Sequence, residues 1–311
     1  MRYQPERDTD EQCRDRLRLI RGDPAPRARF LISCFVVADS TPAVRFESVY
    51  KAFIAQGRDG RPLLALEEVS FAASPGEFIS LVGPSGCGKS TCLNLLAGLT
   101  EPSAGRVEHH GTQVVGVNTK VGYITQDDNL LPWRSLVANV ELGLEFRGVP
   151  REERRRRARE FIGLVGLDGF ENHYPHELSG GMRKRAGIIR TLIHDSDVVL
   201  MDEPFGPLDA QTRVILQAEL LKLWERTRPT VLFVTHDLVE AIALSDRILV
   251  FTSRPGTIKR EYRVDLPRPR DVFHIHETPG FSDLYDALWS DIRAEIQRAR
   301  QGEMQSAGLT R

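Results

Sequence analysis

The 311 residues are 41% hydrophobic and 27% charged, enough apolar material for one large or two ordinary domains with a substantial core. Lys and Arg number 42 against 43 Asp and Glu, so no global positive field draws in nucleic acid or an anionic membrane. The four cysteines, Cys13, Cys34, Cys87 and Cys92, show no paired metal-ligand spacing and follow no signal peptide, which points to a reducing cytosol.

Residues 1–42, rich in Arg, Asp and Pro, are expected to form a flexible N-terminal extension; an extra strand or a misassigned start are the alternatives. Their most apolar stretch, Phe30 to Ala38, falls short of the roughly 20 residues a membrane helix needs. Beyond them, apolar runs of strand length keep ending at residues able to do chemistry. Phe78 to Val82 runs into a glycine-rich loop, Val198 to Met201 into Asp202, and Thr230 to Thr235 into His236; Arg247 to Phe251 is one more such run. Open parallel sheets hold ligands beyond the carboxyl ends of their strands, so these termini are expected to converge on one crevice. Helical periodicity fills the intervals Thr91 to Leu99, Met182 to His194 and Gln211 to Arg226. The stretch from about Asp127 to His176 lacks that alternation and reads as a helical insertion. Leu284, Leu288, Ile292 and Ile296 recur at helical spacing, so a segment near Ser282 to Arg300 is expected to dock one apolar face.

Gly83-Pro84-Ser85-Gly86-Cys87-Gly88-Lys89-Ser90 has the spacing of a phosphate-cradling loop, placed between a strand and a helix. Glycines let the backbone wrap closely enough for successive amides to face phosphate oxygens, and the helix start adds its positive dipole end. Lys89 is expected to pair with the β- and γ-phosphates and Ser90 to ligate magnesium, with Thr91 beside it. Cys87 reads either as a redox handle or as a small side chain packed in a tight loop. Asp202 is placed to hold magnesium, and Glu203 to act as general base near the γ-phosphate. Leu178-Ser179-Gly180-Gly181 precedes a helix and offers a hydroxyl, free amides and a dipole end to a second anion. The local phosphates already have their own loop, so this second site is expected to serve the ATP of another subunit.

Taken in order, these segments resemble the nucleotide-binding subunit of ATP-binding cassette (ABC) transporters over about residues 43–270. The resemblance implies a P-loop α/β fold: a parallel-sheet core, an antiparallel β portion, a helical subdomain at about 127–180, and a C-terminal helical extension at 271–311. It implies a homodimer that sandwiches two ATPs, magnesium as cofactor, integral membrane permease subunits as partners, and indirectly an external solute-binding protein. By position it makes Gln126 the magnesium- and permease-sensing glutamine, His236 the switch histidine, Asp209 part of the loop facing the dimer partner, and Phe53 the aromatic against adenine. Met182 departs from the usual glutamine after the signature glycines. Leu131 to Arg134, Phe205 to Arg213, Arg254-Pro255-Gly256 and Leu266 to Arg270 are similar to the nitrate, sulfonate and taurine importers, which implies the cytoplasmic face of a membrane. Alternatives are a soluble non-transport cassette ATPase and a P-loop kinase, which leaves the signature and His236 without a purpose. Arg151 to Arg159 reads as a solvated helix face or a lipid-headgroup contact. His109-His110 reads as a turn, and His173, His194, His274 and His276 read as surface or packing residues.

Overall fold

A computed structural model of the chain describes residues 41–54, 62–206 and 208–306. Residues 1–40 of the N-terminal extension, with Cys13 and Cys34, and Pro207 lie outside the described residues. Two sheets organise the rest. An antiparallel sheet contains β1 (Val44–Ile54), β2 (Pro62–Ala73), β4 (Ala104–His109) and β5 (Thr112–Gln113), in the order β2-β1-β4-β5. The second sheet contains β3 (Phe78–Val82), β6 (Val121–Ile124), β7 (Val198–Asp202), β8 (Thr230–Val234), β9 (Arg247–Phe251) and β10 (Ile258–Arg263). Its order is β10-β9-β3-β8-β7-β6, parallel except where β10 pairs with β9.

The parallel strands read as unbroken apolar runs because both of their faces are buried. On β8, Val231 and Phe233 face a core shared with Phe78, Trp224 and Leu244, while Leu232 and Val234 face one shared with Ile79, Leu93 and Phe46. The first core is closed by α6 (Ala210–Thr227), α7 (Leu238–Leu244) and α8 (Phe281–Ser306), and the second by α1 (Lys89–Leu96) and the antiparallel sheet. A third apolar cluster belongs to α2 (Leu136–Val140), α3 (Leu142–Phe146), α4 (Arg151–Leu164) and α5 (Gly180–Leu192). On α8 the apolar stripe is seated, with Leu288 and Ile292 buried in the first core and Leu284 and Ile296 packed against it.

The arginine run on α4 departs from a solvated face. Arg154 and Arg155 each lie 3.6 Å from the buried Glu141 carboxylate, and Arg157 donates to the Ile193 carbonyl at 2.9 Å and pairs with Asp195. Those side chains brace α4 against its neighbours, while Arg151, Arg156 and Arg159 stay exposed. His110 and Gly111 form the two-residue turn of the β4–β5 hairpin. His110 sits 2.7 Å and His109 3.5 Å from Asp197, joining the two sheets. The hydrogen bond to Asp197 is made by His110, while His109 Nδ1 lies 3.4 Å from the Asn118 amide nitrogen. No helix among the described residues is long and apolar enough to cross a membrane.

Candidate functional site

The carboxyl ends of β3, β7 and β8 lie side by side, because β3 pairs with β8 and β8 with β7 in parallel register, Asp202 opposite Val234. β3 runs into the glycine-rich loop, β7 ends at Asp202 and β8 is followed by Thr235 and His236, so the termini gather the chemistry at one edge of the sheet.

β3 opens into the Gly83–Ser90 loop, which re-enters helix at Lys89. Gly88 takes φ 102°, and a Cβ on it would stand 2.5 Å from the Leu66 side chain, so only glycine fits both the backbone and the space. Lys89 is almost fully buried, and its ammonium donates to the Gly83 and Pro84 carbonyls at 2.8 and 2.9 Å. A cation held on loop carbonyls at the mouth of a helix start is positioned for an incoming polyphosphate. Cys87 is buried with its thiol pushed up by loss of solvation, the state of a packed side chain rather than a reactive thiolate.

β7 delivers the acidic pair. Ser90 donates its hydroxyl to Asp202 at 3.0 Å, across 112 residues of sequence. Burial, with the neighbouring Glu203, holds the Asp202 carboxyl above its ordinary range against the Ser90 hydrogen bond, Lys89 and Lys184. Hard oxygen donors converging where negative charge is under-compensated fit a divalent cation such as magnesium. Glu203 is turned out of the strand with φ 45° and anchored by its amide to the Val234 carbonyl at 3.0 Å. His236, just beyond β8, places Nδ1 3.3 Å from the Glu203 carboxylate. Lys89, Ser90, Asp202, Glu203 and His236 are thereby brought together within one chain.

Gln126 lies two residues beyond β6, whose register with β7 sets Ile124 opposite Met201. It is exposed at the same sheet edge, and its carbonyl, with that of Thr125, accepts from the Lys184 ammonium at 2.7 and 2.8 Å. Phe53 pairs across β1–β2 with Leu63, two steps from the Lys51–Leu66 pair that abuts Gly88; its ring is exposed, with the Lys51 ammonium 5.0 Å from its centroid. Ser179 caps α5 by accepting from the Met182 amide at 3.3 Å, and Gly180 and Gly181 start that helix. Among the described residues no hydrogen bond joins Ser179, Gly180 or Gly181 to the Gly83–Thr91 loop. Asp209 caps α6 by accepting from Thr212 at 2.9 Å, which holds its carboxyl below the usual range.

Sequence reading passed over the residues behind His236. Thr235 donates to Glu240 at 2.6 Å, and Gln217 donates to the other carboxylate oxygen at 2.9 Å. Arg213 lies 3.9 Å from Glu240 and 3.6 Å from Asp237 and donates to the Leu208 carbonyl at 3.1 Å, linking this network to the Asp209 turn. The available signal was Glu240 itself, an acidic residue in the first turn of a short and otherwise apolar helix just beyond His236.

A glycine loop between a parallel strand and a helix, facing an acidic pair on a neighbouring strand end, defines a P-loop nucleotide hydrolase. The protein family described as ABC transporter matches residues 66–206. An ABC transporter ATP-binding protein of Methanocaldococcus jannaschii is 50% identical over 213 residues, 68% of this chain and 80% of the relative. The taurine import ATP-binding protein TauB of Rhizobium johnstonii is 43% identical over 235 residues, 74% of this chain and 90% of the relative. Among solved structures, the dimeric post-hydrolysis state of an ATP-binding cassette bound to ADP and Pi aligns with TM-score 0.63 and 34% identity, over 71% of this chain and 98% of that one. The chain belongs to the ATP-binding subunits of ABC transporters and is an ATP hydrolase.

Proposed function

We propose that the chain is the ATP-hydrolysing subunit of an importer for a small, anionic solute of the nitrate, sulfonate or taurine kind, working on the cytoplasmic face of a membrane beside a separate permease. Residues 43–270 form the ATPase domain, with the helical subdomain near 127–180 and the C-terminal extension at 271–311. The observation that carries the reading is the convergence of Ser90, Asp202, Glu203 and His236 on the strand ends, at 3.0 Å for Ser90–Asp202 and 3.3 Å for His236–Glu203. Relatives named for taurine import, 43% identical in one case and 42% in another, support import, as does a dimeric cassette for the homodimer.

In this reading Lys89 exchanges its loop carbonyls for the β- and γ-phosphates of ATP, and the amides of the Gly83–Thr91 loop enclose them. Ser90, Asp202 and Gln126 would hold magnesium, which supplies charge neutralisation to the transferring phosphoryl group. Glu203 accepts a proton from the attacking water, and His236, in contact with it, orients that water and the γ-phosphate. Phe53 stacks on adenine. Ser179, Gly180 and Gly181 complete the phosphate shell of the ATP on the partner subunit, so ATP closes the dimer and loss of the γ-phosphate releases it. The groove from Gln126 to Trp133, whose indole is exposed, passes closure to the permease, and the external binding protein acts only through that permease.

Tagged Glu203→Gln protein, loaded with ATP and recovered from detergent extracts, tests both halves. It is expected to turn over roughly 10² to 10⁴ times more slowly, to elute as a nucleotide-bound dimer and to carry an integral membrane protein with it. Turnover at the wild-type rate contradicts the general-base assignment, and recovery without any membrane protein contradicts the transporter assignment.

A further inference from the structure

The turn between β9 and β10 touches two distant parts of the chain at once. On one side, the exposed Arg254 guanidinium donates to the Gly86 carbonyl through Nε at 3.1 Å and through a terminal nitrogen at 2.9 Å. Gly256 lies so close to the same loop that a Cβ on it would fall 1.9 Å from the Cys87 carbonyl oxygen. Its amide donates to Ala65 at 2.9 Å and its carbonyl accepts from Glu67 at 3.0 Å, which ties the turn to β2. On the other side, the Ser253 amide donates to the Glu295 carboxylate at 3.1 Å. Glu295 is completely buried on α8, and its other oxygen meets Lys259 at 3.1 Å and Arg298 at 2.8 Å.

Peptide planarity gives these contacts a consequence. The Gly86 carbonyl shares a rigid trans plane with the Cys87 amide, and the Cys87 carbonyl shares one with the Gly88 amide. A donor that holds the Gly86 carbonyl on the turn side directs the Cys87 amide the opposite way, and the close approach of Gly256 limits rotation of the next plane. Amides of this loop recognise phosphate only when they converge, so whatever fixes their planes sets nucleotide affinity.

We propose that Arg254 and Glu295 are positioning residues for the phosphate loop: α8 holds the Thr252–Thr257 turn through Glu295, and the turn holds two loop peptide planes through Arg254 and Gly256. The inference rests on the reading that the Gly83–Thr91 loop binds the phosphates of ATP. It gives the C-terminal helix a share in ATP affinity although no residue of that helix need touch nucleotide.

The test is titration of the full-length protein with a fluorescent ATP analogue, alongside melting without nucleotide. Arg254→Ala is expected to weaken binding about tenfold with little change in melting, because the side chain is exposed. Arg254→Lys, which keeps one donor, should recover part of that loss. Glu295→Gln is expected to weaken binding several-fold, and the double variant to bind no worse than Arg254→Ala alone, since both act through one turn. Wild-type affinity in Arg254→Ala, or losses that multiply in the double variant, overturns the proposal; Arg254→Ala decides alone if Glu295→Gln does not fold. Lys89→Ala separates the two readings, since undiminished binding there refutes the phosphate-loop assignment itself.

Discussion

Glu240 is a buried carboxylate that touches no predicted phosphate contact, yet it holds Thr235, the residue before His236. Burial, with Asp237 nearby, pushes its carboxyl up to about 7, against the pull of Thr235, Arg213 and His236. The sign follows from linkage. Below the ordinary carboxylate range both folded and unfolded chains are protonated; as pH rises towards 7 the unfolded chain ionises first, so the folded state loses stability until Glu240 ionises too. A rise from 4.5 to about 7 corresponds to a loss of about 3 kcal/mol, complete above neutrality. Glu240→Gln cannot titrate, so its unfolding free energy relative to wild type should improve between pH 5 and pH 8. A difference in urea-unfolding free energy that stays constant over that interval contradicts the assignment. Gln has the shape of the protonated acid: its oxygen can accept from Gln217, and its amide can donate to the Thr235 hydroxyl, which accepts as well as donates.

Among the elements, α7 shows how the Leu266–Arg270 segment serves the fold. Its last carbonyls find no partner within the helix, and the Leu266–Arg270 segment supplies them. Arg270 is buried and donates to the Ile242, Ala243 and Ser245 carbonyls at 3.0, 3.3 and 2.6 Å and to Val264 at 3.0 Å, although burial pushes its guanidinium down to about 10. Arg268 donates to Leu244 at 2.8 Å and stacks 4.3 Å from the Trp224 ring, with Arg228 the same distance from that ring. Arg270→Met removes donors from several buried carbonyls and is expected to cost about 3 kcal/mol in urea unfolding. A loss under about 0.5 kcal/mol would show that water or a neighbouring side chain serves those carbonyls instead.

The parallel strands were legible because burial on both faces leaves them uniformly apolar: Phe78 to Val82 and Arg247 to Phe251 are the observed β3 and β9. Helix ends were less so. The interval Thr91 to Leu99 is displaced from α1 at Lys89–Leu96, since the helix begins inside the phosphate loop and stops before Gly98, whose φ is 68°. The antiparallel strands carry no clean alternation. β1 is interrupted by register shifts around Val49 and Lys51, with Ser48 at φ 45°, and β2 carries Glu68 at φ 51°. Within the insertion, α2 and α3 are five residues each, too short for periodicity to register. The local half of the site could be read from spacing, because loop, acidic pair and histidine each end a strand. The supports could not: Lys184, Arg254 and Glu295 act across turns and sheets that sequence distance hides.

At the scale of the whole molecule, the Gly83–Thr91 loop and the Ser179–Gly181 segment open different helices. Lys89 and Ser90 open α1 beside Asp202, whereas Ser179 opens α5, which packs on the helical cluster and clamps the loop after β6 through Lys184. The dimeric cassette aligned above supports reading the chain as half of a pair, and under the proposed function each protomer completes the other's pocket. The direct measurement is the ATP hydrolysis rate per protomer across a dilution series, with molecular mass followed in parallel. The account predicts that specific activity collapses as the protein passes from dimer to monomer; an undiminished rate from a strictly monomeric sample would contradict it.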